Sequence, residues 1–99
     1  LGAEQLMAAE KEGRKIAVEI KSFIGQSEIE DLENALGQFI LNRNVMNKTE
    51  PDRELYLAVR EQVFYELFEE PVGKLLLENE KLRLMVFNSQ EEVIVKWVT

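Results

Sequence analysis

Glu19-Ile20-Lys21 is the one place in the chain where an acid and a lysine stand two residues apart in that order. If the segment is a strand, alternation puts both side chains on one face. A carboxylate there can help hold Mg²⁺. An ammonium beside it can orient or polarise an attacking water and offset charge developing on a phosphate. Together these are the parts of metal-assisted phosphodiester hydrolysis. The same pair also fits an ordinary ion pair on a polar strand face, worth about 0–1 kcal/mol. The rest of the composition narrows the choices. The 99 residues include no histidine and no cysteine. Ser-His-Asp and Cys-His nucleophiles, thiolate or imidazole zinc sites, iron–sulfur clusters and disulfides are therefore excluded. Carboxylates, lysine, tyrosine, hydroxyls and a hard, oxygen-bound metal remain.

The net charge is −7, and it is unevenly spread. Residues 1–26 balance, residues 27–50 carry −3, residues 51–81 carry −4, and residues 82–99 balance. An acidic balance disfavours nonspecific nucleic-acid binding, whose affinity comes from neutralising phosphates, but leaves room for a local neutral or basic cleft. Zero cysteine suits a cytoplasmic location. No run approaches the ~20 apolar residues of a membrane span, so no membrane partner is expected. The chain opens on Leu1 rather than methionine. A single domain over 1–99, preceded by a segment not included in it, is the expectation.

Several elements must position the pair. Lys11-Glu12-Gly13-Arg14 reads as a hairpin turn after a strand near Leu6 to Glu10, with Gly13 able to take positive φ. Lys15 to Lys21 alternates. Ile16, Val18 and Ile20 point to a core, and Lys15, Ala17, Glu19 and Lys21 form an outer polar face. Ser27 and Glu30 form a capping box. Ile29, Leu32, Leu36, Phe39 and Ile40 then recur at helical spacing, giving a helix to about Asn44 or a little beyond. Glu54 to Arg60 reads as a strand with Leu55, Leu57 and Val59 on one face. Glu61 to Glu69 reads as a short helix burying Val63, Phe64, Leu67 and Phe68. Pro71 opens another helix ending near Asn79. Leu82 to Phe87 and Val93 to Val98 are strands joined by Asn88-Ser89-Gln90-Glu91. This order predicts an α/β (α+β) fold, a mixed β-sheet flanked by helices.

The residues Leu1-Gly-Ala-Glu4, Ala8-Ala-Glu-Lys-Glu-Gly13, Lys15-Ile-Ala-Val-Glu-Ile-Lys-Ser-Phe23, Ala35-Leu-Gly-Gln-Phe39 and Leu55-Tyr-Leu-Ala-Val59 closely resemble the XisH family. These are cyanobacterial controlling factors for excision of the fdxN DNA element during heterocyst development. The resemblance runs over nearly the whole chain. It implies a restriction-endonuclease-like core of the PD-(D/E)xK superfamily, with Glu19 and Lys21 on the (D/E)xK positions and Glu19 holding Mg²⁺. The first acid of that motif is expected just before Leu1, and the offset of Glu4 does not suit the role. Some nucleases of the superfamily carry Gln-x-x-x-Tyr on the helix after the lysine strand. Gln38 matches the glutamine, and Asn42 stands where tyrosine would. One turn apart, both can face one cleft.

Two functions follow from the resemblance. One is a Mg²⁺-dependent nuclease-like domain acting on DNA in programmed excision, with Glu19, Lys21 and Gln38 as its catalytic residues. The other is a non-catalytic accessory protein that binds an XisI-type partner. The remaining candidates read as structural. Trp97, with Val93 and Val95 on its strand face, belongs to the core or a subunit interface. Phe64 and Phe68 form a core stripe, Arg53 and Arg60 make surface ion pairs, and Ser27 is a cap. Met85, Phe87, Ile94 and Trp97, spread over both faces of the last two strands, point to a homodimer.

Overall fold

The computed structural model describes residues 5–23, 25, 27–80 and 82–99, so the Leu1–Glu4 block lies outside the described residues. The elements run β1 (Gln5–Lys11), β2 (Arg14–Ile20), α1 (Glu28–Thr49), β3 (Glu54–Arg60), α2 (Glu61–Val63) with a π-helical turn (Phe64–Phe68), α3 (Pro71–Asn79), β4 (Leu84–Asn88) and β5 (Val93–Val98). The strands form a mixed five-stranded sheet in the order β1-β2-β3-β4-β5. This is the α+β architecture that the alternation and capping signals predict. Two compact units make up the chain, residues 1–55 and 56–99. No helix among the described residues is long and apolar enough to cross a membrane.

In the first unit, β1 and β2 are antiparallel in continuous register from Gln5↔Ile20 to Lys11↔Arg14. Their two-residue turn has Glu12 at φ 54° and Gly13 at φ 80°. Both central residues of such a turn must be left-handed to match strand twist, and Gly13 takes that conformation without steric cost. The ribbon divides sharply. Residues 6–10, 14 and 15 are exposed, whereas Ile16, Ala17, Val18 and Glu19 are buried. The expected polar outer face is therefore corrected at Ala17 and Glu19. Alternation fixes which side a residue takes but not whether that side is covered.

Helix α1 begins where the capping box predicts, with the Glu30 backbone N–H donating to Ser27 Oγ at 3.2 Å. Glu28, Glu30 and Asp31 occupy its first turn and Lys48 its last, complementing the helix dipole. Leu32, Ala35, Phe39 and Met46 are its buried positions, a single stripe. Gly25 precedes the cap. Its N–H donates to Asp31 Oδ2 at 2.8 Å, and a Cβ there would lie 2.7 Å from the Asp31 carboxylate. After the helix, Arg53 does more than the surface ion pair expected of it. Its Nε donates to Glu50 Oε1 at 3.0 Å, and its Nη1 donates to the Ile16 carbonyl at 2.7 Å, bracing β2.

In the second unit, β3 and β4 are parallel and β4 and β5 antiparallel. Residues 55–59 of β3 are all buried at 2% exposure or less, so both of its faces are covered, not only the Leu55-Leu57-Val59 face. The helix read over 61–69 is in fact one α-turn followed by the π-helical turn, closed by Glu69 N–H to the Phe64 carbonyl at 3.2 Å. Gly73 of α3 is buried so close to this turn that a Cβ would collide with the Leu67 carbonyl oxygen. Between β4 and β5 the register steps from Val86↔Lys96 to Phe87↔Ile94, leaving Val95 as an extra, bulged residue. The bulge reverses the alternation before it. Ile94 therefore shares the face of Met85, Phe87 and Trp97, and the expectations that Val93 joins Trp97 and that the four apolar residues split between two faces are corrected. Trp97 packs edge-on to the buried Tyr56, ring centroids 5.0 Å apart.

Candidate functional site

Strand β2 carries a carboxylate into the interior. Glu19 is 2% exposed, the one buried charged side chain among the described residues. Its flanking positions explain how it is held there. Ile16 and Val18 are buried apolar anchors, and Arg53 fixes the backbone at Ile16. A buried carboxylate is costly without hydrogen-bond donors. Asn42 supplies one, its Nδ2 donating to Glu19 Oε1 at 3.0 Å. Helix α1 can deliver Asn42 because that residue borders the Leu32-Ala35-Phe39-Met46 stripe.

Gln38 lies one turn earlier on the same flank of α1. Its Oε1 is buried and has no hydrogen-bond partner among the described residues. An orphaned buried amide oxygen is uncommon, because the lost hydration is not replaced. One helical flank thus presents an amide that binds the Glu19 carboxylate and, next to it, an oxygen acceptor with nothing to accept. Lys21 follows directly after the last residue of β2 and is half-buried. The structure joins Glu19 to Asn42 by contact, with Gln38 beside Asn42 on the helix and Lys21 at the strand end.

The donor set is entirely oxygen, the carboxylate of Glu19 and the free amide oxygen of Gln38. That suits a hard cation such as Mg²⁺, which is commonly held by one or two carboxylates with the rest of its shell filled by water. Among the described residues there is no cluster of three acidic, histidine or cysteine side chains able to hold a metal. Asn42 carries a larger role than its place in the motif suggested. The signal available in the sequence was only its i,i+4 spacing from Gln38.

Comparison with known proteins bears on this site. The family model described as XisH protein matches residues 1–95. The chain belongs to the XisH family. Among solved structures it is similar to an XisH family protein from Nostoc punctiforme, with 38% identity and a TM-score of 0.90, covering 95% of this chain and 74% of that one. It is also similar to an fdxN element excision controlling factor protein from Anabaena variabilis, with 42% identity and a TM-score of 0.89, again over 95% of this chain and 74% of the other. No curated protein matches the chain. The XisH family assignment agrees with the residue blocks of the sequence that resemble it, including the Val18–Phe23 segment that carries Glu19 and Lys21.

Proposed function

We propose that this XisH chain takes part in controlling the excision of a DNA element, and that it does so through a restriction-endonuclease-like site centred on Glu19. The observation that carries the reading is a carboxylate at 2% exposure, held by Asn42, with Gln38, whose buried Oε1 has no partner among the described residues, one turn before Asn42 on the same helix. Stability alone gives little reason to bury a charge, since a well-packed apolar residue usually serves as well. Mg²⁺, when bound, would supply Lewis acidity at the scissile phosphate, with Glu19 as its carboxylate ligand. Lys21 then offsets negative charge on the phosphate and orients the attacking water. Gln38 Oε1 offers that water an acceptor, and Asn42 keeps the carboxylate in one rotamer. DNA is the substrate class on this reading.

The experiment is cleavage of a DNA duplex in Mg²⁺ by the full-length protein, compared with Glu19→Gln and Lys21→Ala. Loss of cutting in both variants, with folding intact, supports the site. Equal cutting by all three removes it.

A second reading is favoured by the edge strands. Leu6 and Met7 of β1, and Val93, Ile94 and Val95 of β5, are each 40% exposed or more. Exposed apolar edge strands are a common route to protein pairing. On this reading the chain works by binding, to an XisI-type protein or to a second copy in a homodimer. The two readings separate in an excision assay. A Lys21→Ala protein with full activity would leave only the binding role.

A further inference from the structure

Helix α1 has two faces that differ in what covers them. The Leu32-Ala35-Phe39-Met46 stripe is buried. At about 100° per residue, Glu30, Gly37, Leu41 and Lys48 fall within about 40° of one another on the opposite side, and all four are exposed. Leu41 is 62% exposed, and Val45, one turn on, is 54% exposed. A lone exposed leucine is ordinary on a protein surface. The glycine one turn before it is not. Gly37 sits mid-helix, where glycine is the poorest residue after proline. It has no positive φ, and a Cβ there would meet nothing within 4 Å. Packing within this chain therefore gives no reason for a glycine at 37. Charge is segregated along the same helix. Residues 28–33 hold four acids and no base, whereas residues 34–49 hold Arg43 and Lys48 and no acid. The side chains of Glu30 and Lys48 have no ion-pair partner among the described residues.

We infer that the outer face of α1 is a self-association surface, on which a second copy of this chain packs its own α1 antiparallel about a two-fold axis near residue 39. Under that symmetry, residues equally far from 39 on the two helices face each other. Gly37 and Leu41 stand two residues either side of it, and Glu30 and Lys48 nine either side. Leu41 of each copy thus fits over Gly37 of the partner subunit, and the missing side chain lets the two helix axes approach closely. Glu30 meets Lys48 of the partner subunit at both ends of a contact about 27 Å long. Parallel pairing would set the acids of one helix beside those of the other, so the charge pattern selects the antiparallel arrangement. The helix dipole accounts for which charge sits at which end. It calls for neither the glycine nor the exposed Leu41-Val45 pair. This surface is separate from the edge strands, and Gln38 and Asn42 lie on another flank of α1, so the inference rests on neither reading of the function. A single helix pair buries less than the ~1,600 Å² of a standard interface, so association in the micromolar range is expected.

The test is sedimentation velocity on the full-length protein over a micromolar concentration series, with a melting curve for each variant. Wild type should dimerise, more weakly as salt is added. Leu41→Lys should raise the dissociation constant at least about tenfold, as for a residue at the centre of an interface. Gly37→Gln should weaken the dimer as much while raising the melting temperature, because glutamine is the better helix former and its side chain blocks the approach. A purely structural role for Gly37 does not give those opposite signs. Glu30→Lys and Lys48→Glu should each weaken the dimer about fivefold, since symmetry repeats every pair, and the double variant Glu30→Lys/Lys48→Glu should restore it. Both reversals oppose the helix dipole and lower the melting temperature, so restoration in the double variant is not a stability effect. Ile94→Lys, on the β5 edge, should associate like wild type. A wild type that stays monomeric throughout the series would overturn the inference. So would dimers that survive Leu41→Lys and Gly37→Gln, or that Ile94→Lys abolishes, because the contact would then lie elsewhere. Cleavage plays no part in the readout, so failure of the Glu19 site to cut is distinguishable from failure of α1 to pair.

Discussion

Strands β2 and β3 are both buried on both faces over four or five residues, but they are filled differently. In β3 the buried run is Leu55-Tyr56-Leu57-Ala58-Val59, apolar apart from one hydroxyl. In β2 it is Ile16-Ala17-Val18-Glu19, ending in a carboxylate. The β3 pattern is what an interior strand needs for stability. The β2 pattern adds a group whose burial must be offset by a dedicated donor, which Asn42 provides. Tyr56 shows the contrast from the other side. Its buried hydroxyl also lacks a partner among the described residues, but a neutral hydroxyl costs far less to leave unpaired than a carboxylate, and its ring is packed against Trp97. Charge at equal depth is what the proposed site requires of β2 and what β3 lacks.

The largest effect expected is from moving the β2 pattern into β3. Val59→Glu places a carboxylate at a position of 0% exposure among apolar neighbours with no donor provided. A loss of about 4 kcal/mol or more is expected, enough to prevent cooperative folding of a small domain. Circular dichroism and urea titration would check it, and a folded protein with a normal midpoint would break the comparison.

Next is Asn42→Leu, which leaves the Glu19 carboxylate in place and removes the Asn42 hydrogen bond to it. A buried charged acceptor deprived of its hydrogen bond costs about 2–3 kcal/mol. Glu19→Gln should cost less, about 1 kcal/mol, because an amide of the same shape remains beside Asn42 and the charge is gone. Urea denaturation of both variants orders them. The reverse order would mean that Asn42 is a bystander.

Ser27→Ala tests a feature set by neighbouring residues alone. Loss of its bond to the Glu30 N–H should cost about 1 kcal/mol, read as a lower urea midpoint with little change in slope.

What could be read from the residues, and what could not, follows the range of the forces involved. The Ser27 cap, the Glu12-Gly13 turn, the limits of β3 and the start of α3 at Pro71 are set by interactions within a few residues, and they are visible in the string. The bulge at Val95 depends on which residue of β4 each residue of β5 faces. The π-helical turn at Phe64–Phe68 lies against Gly73, a packing partner outside the segment. The depth of Glu19 depends on what covers β2, and the pairing of that carboxylate with Asn42 joins residues 23 apart in sequence. For the site, the type and spacing of Glu19, Lys21 and Gln38 were legible. The burial of the first, the orphaned oxygen of the third and the role of Asn42 arise only once α1 folds back on β2.

The most direct test of the central claim, that Glu19 is buried for chemistry, separates stability from activity in one variant. Glu19→Gln is assayed for Mg²⁺-dependent cleavage of DNA alongside its urea denaturation curve. The account predicts a fall in rate of at least about a hundredfold, with stability within about 1 kcal/mol of wild type. Cleavage at the wild-type rate by a normally folded Glu19→Gln protein would contradict it.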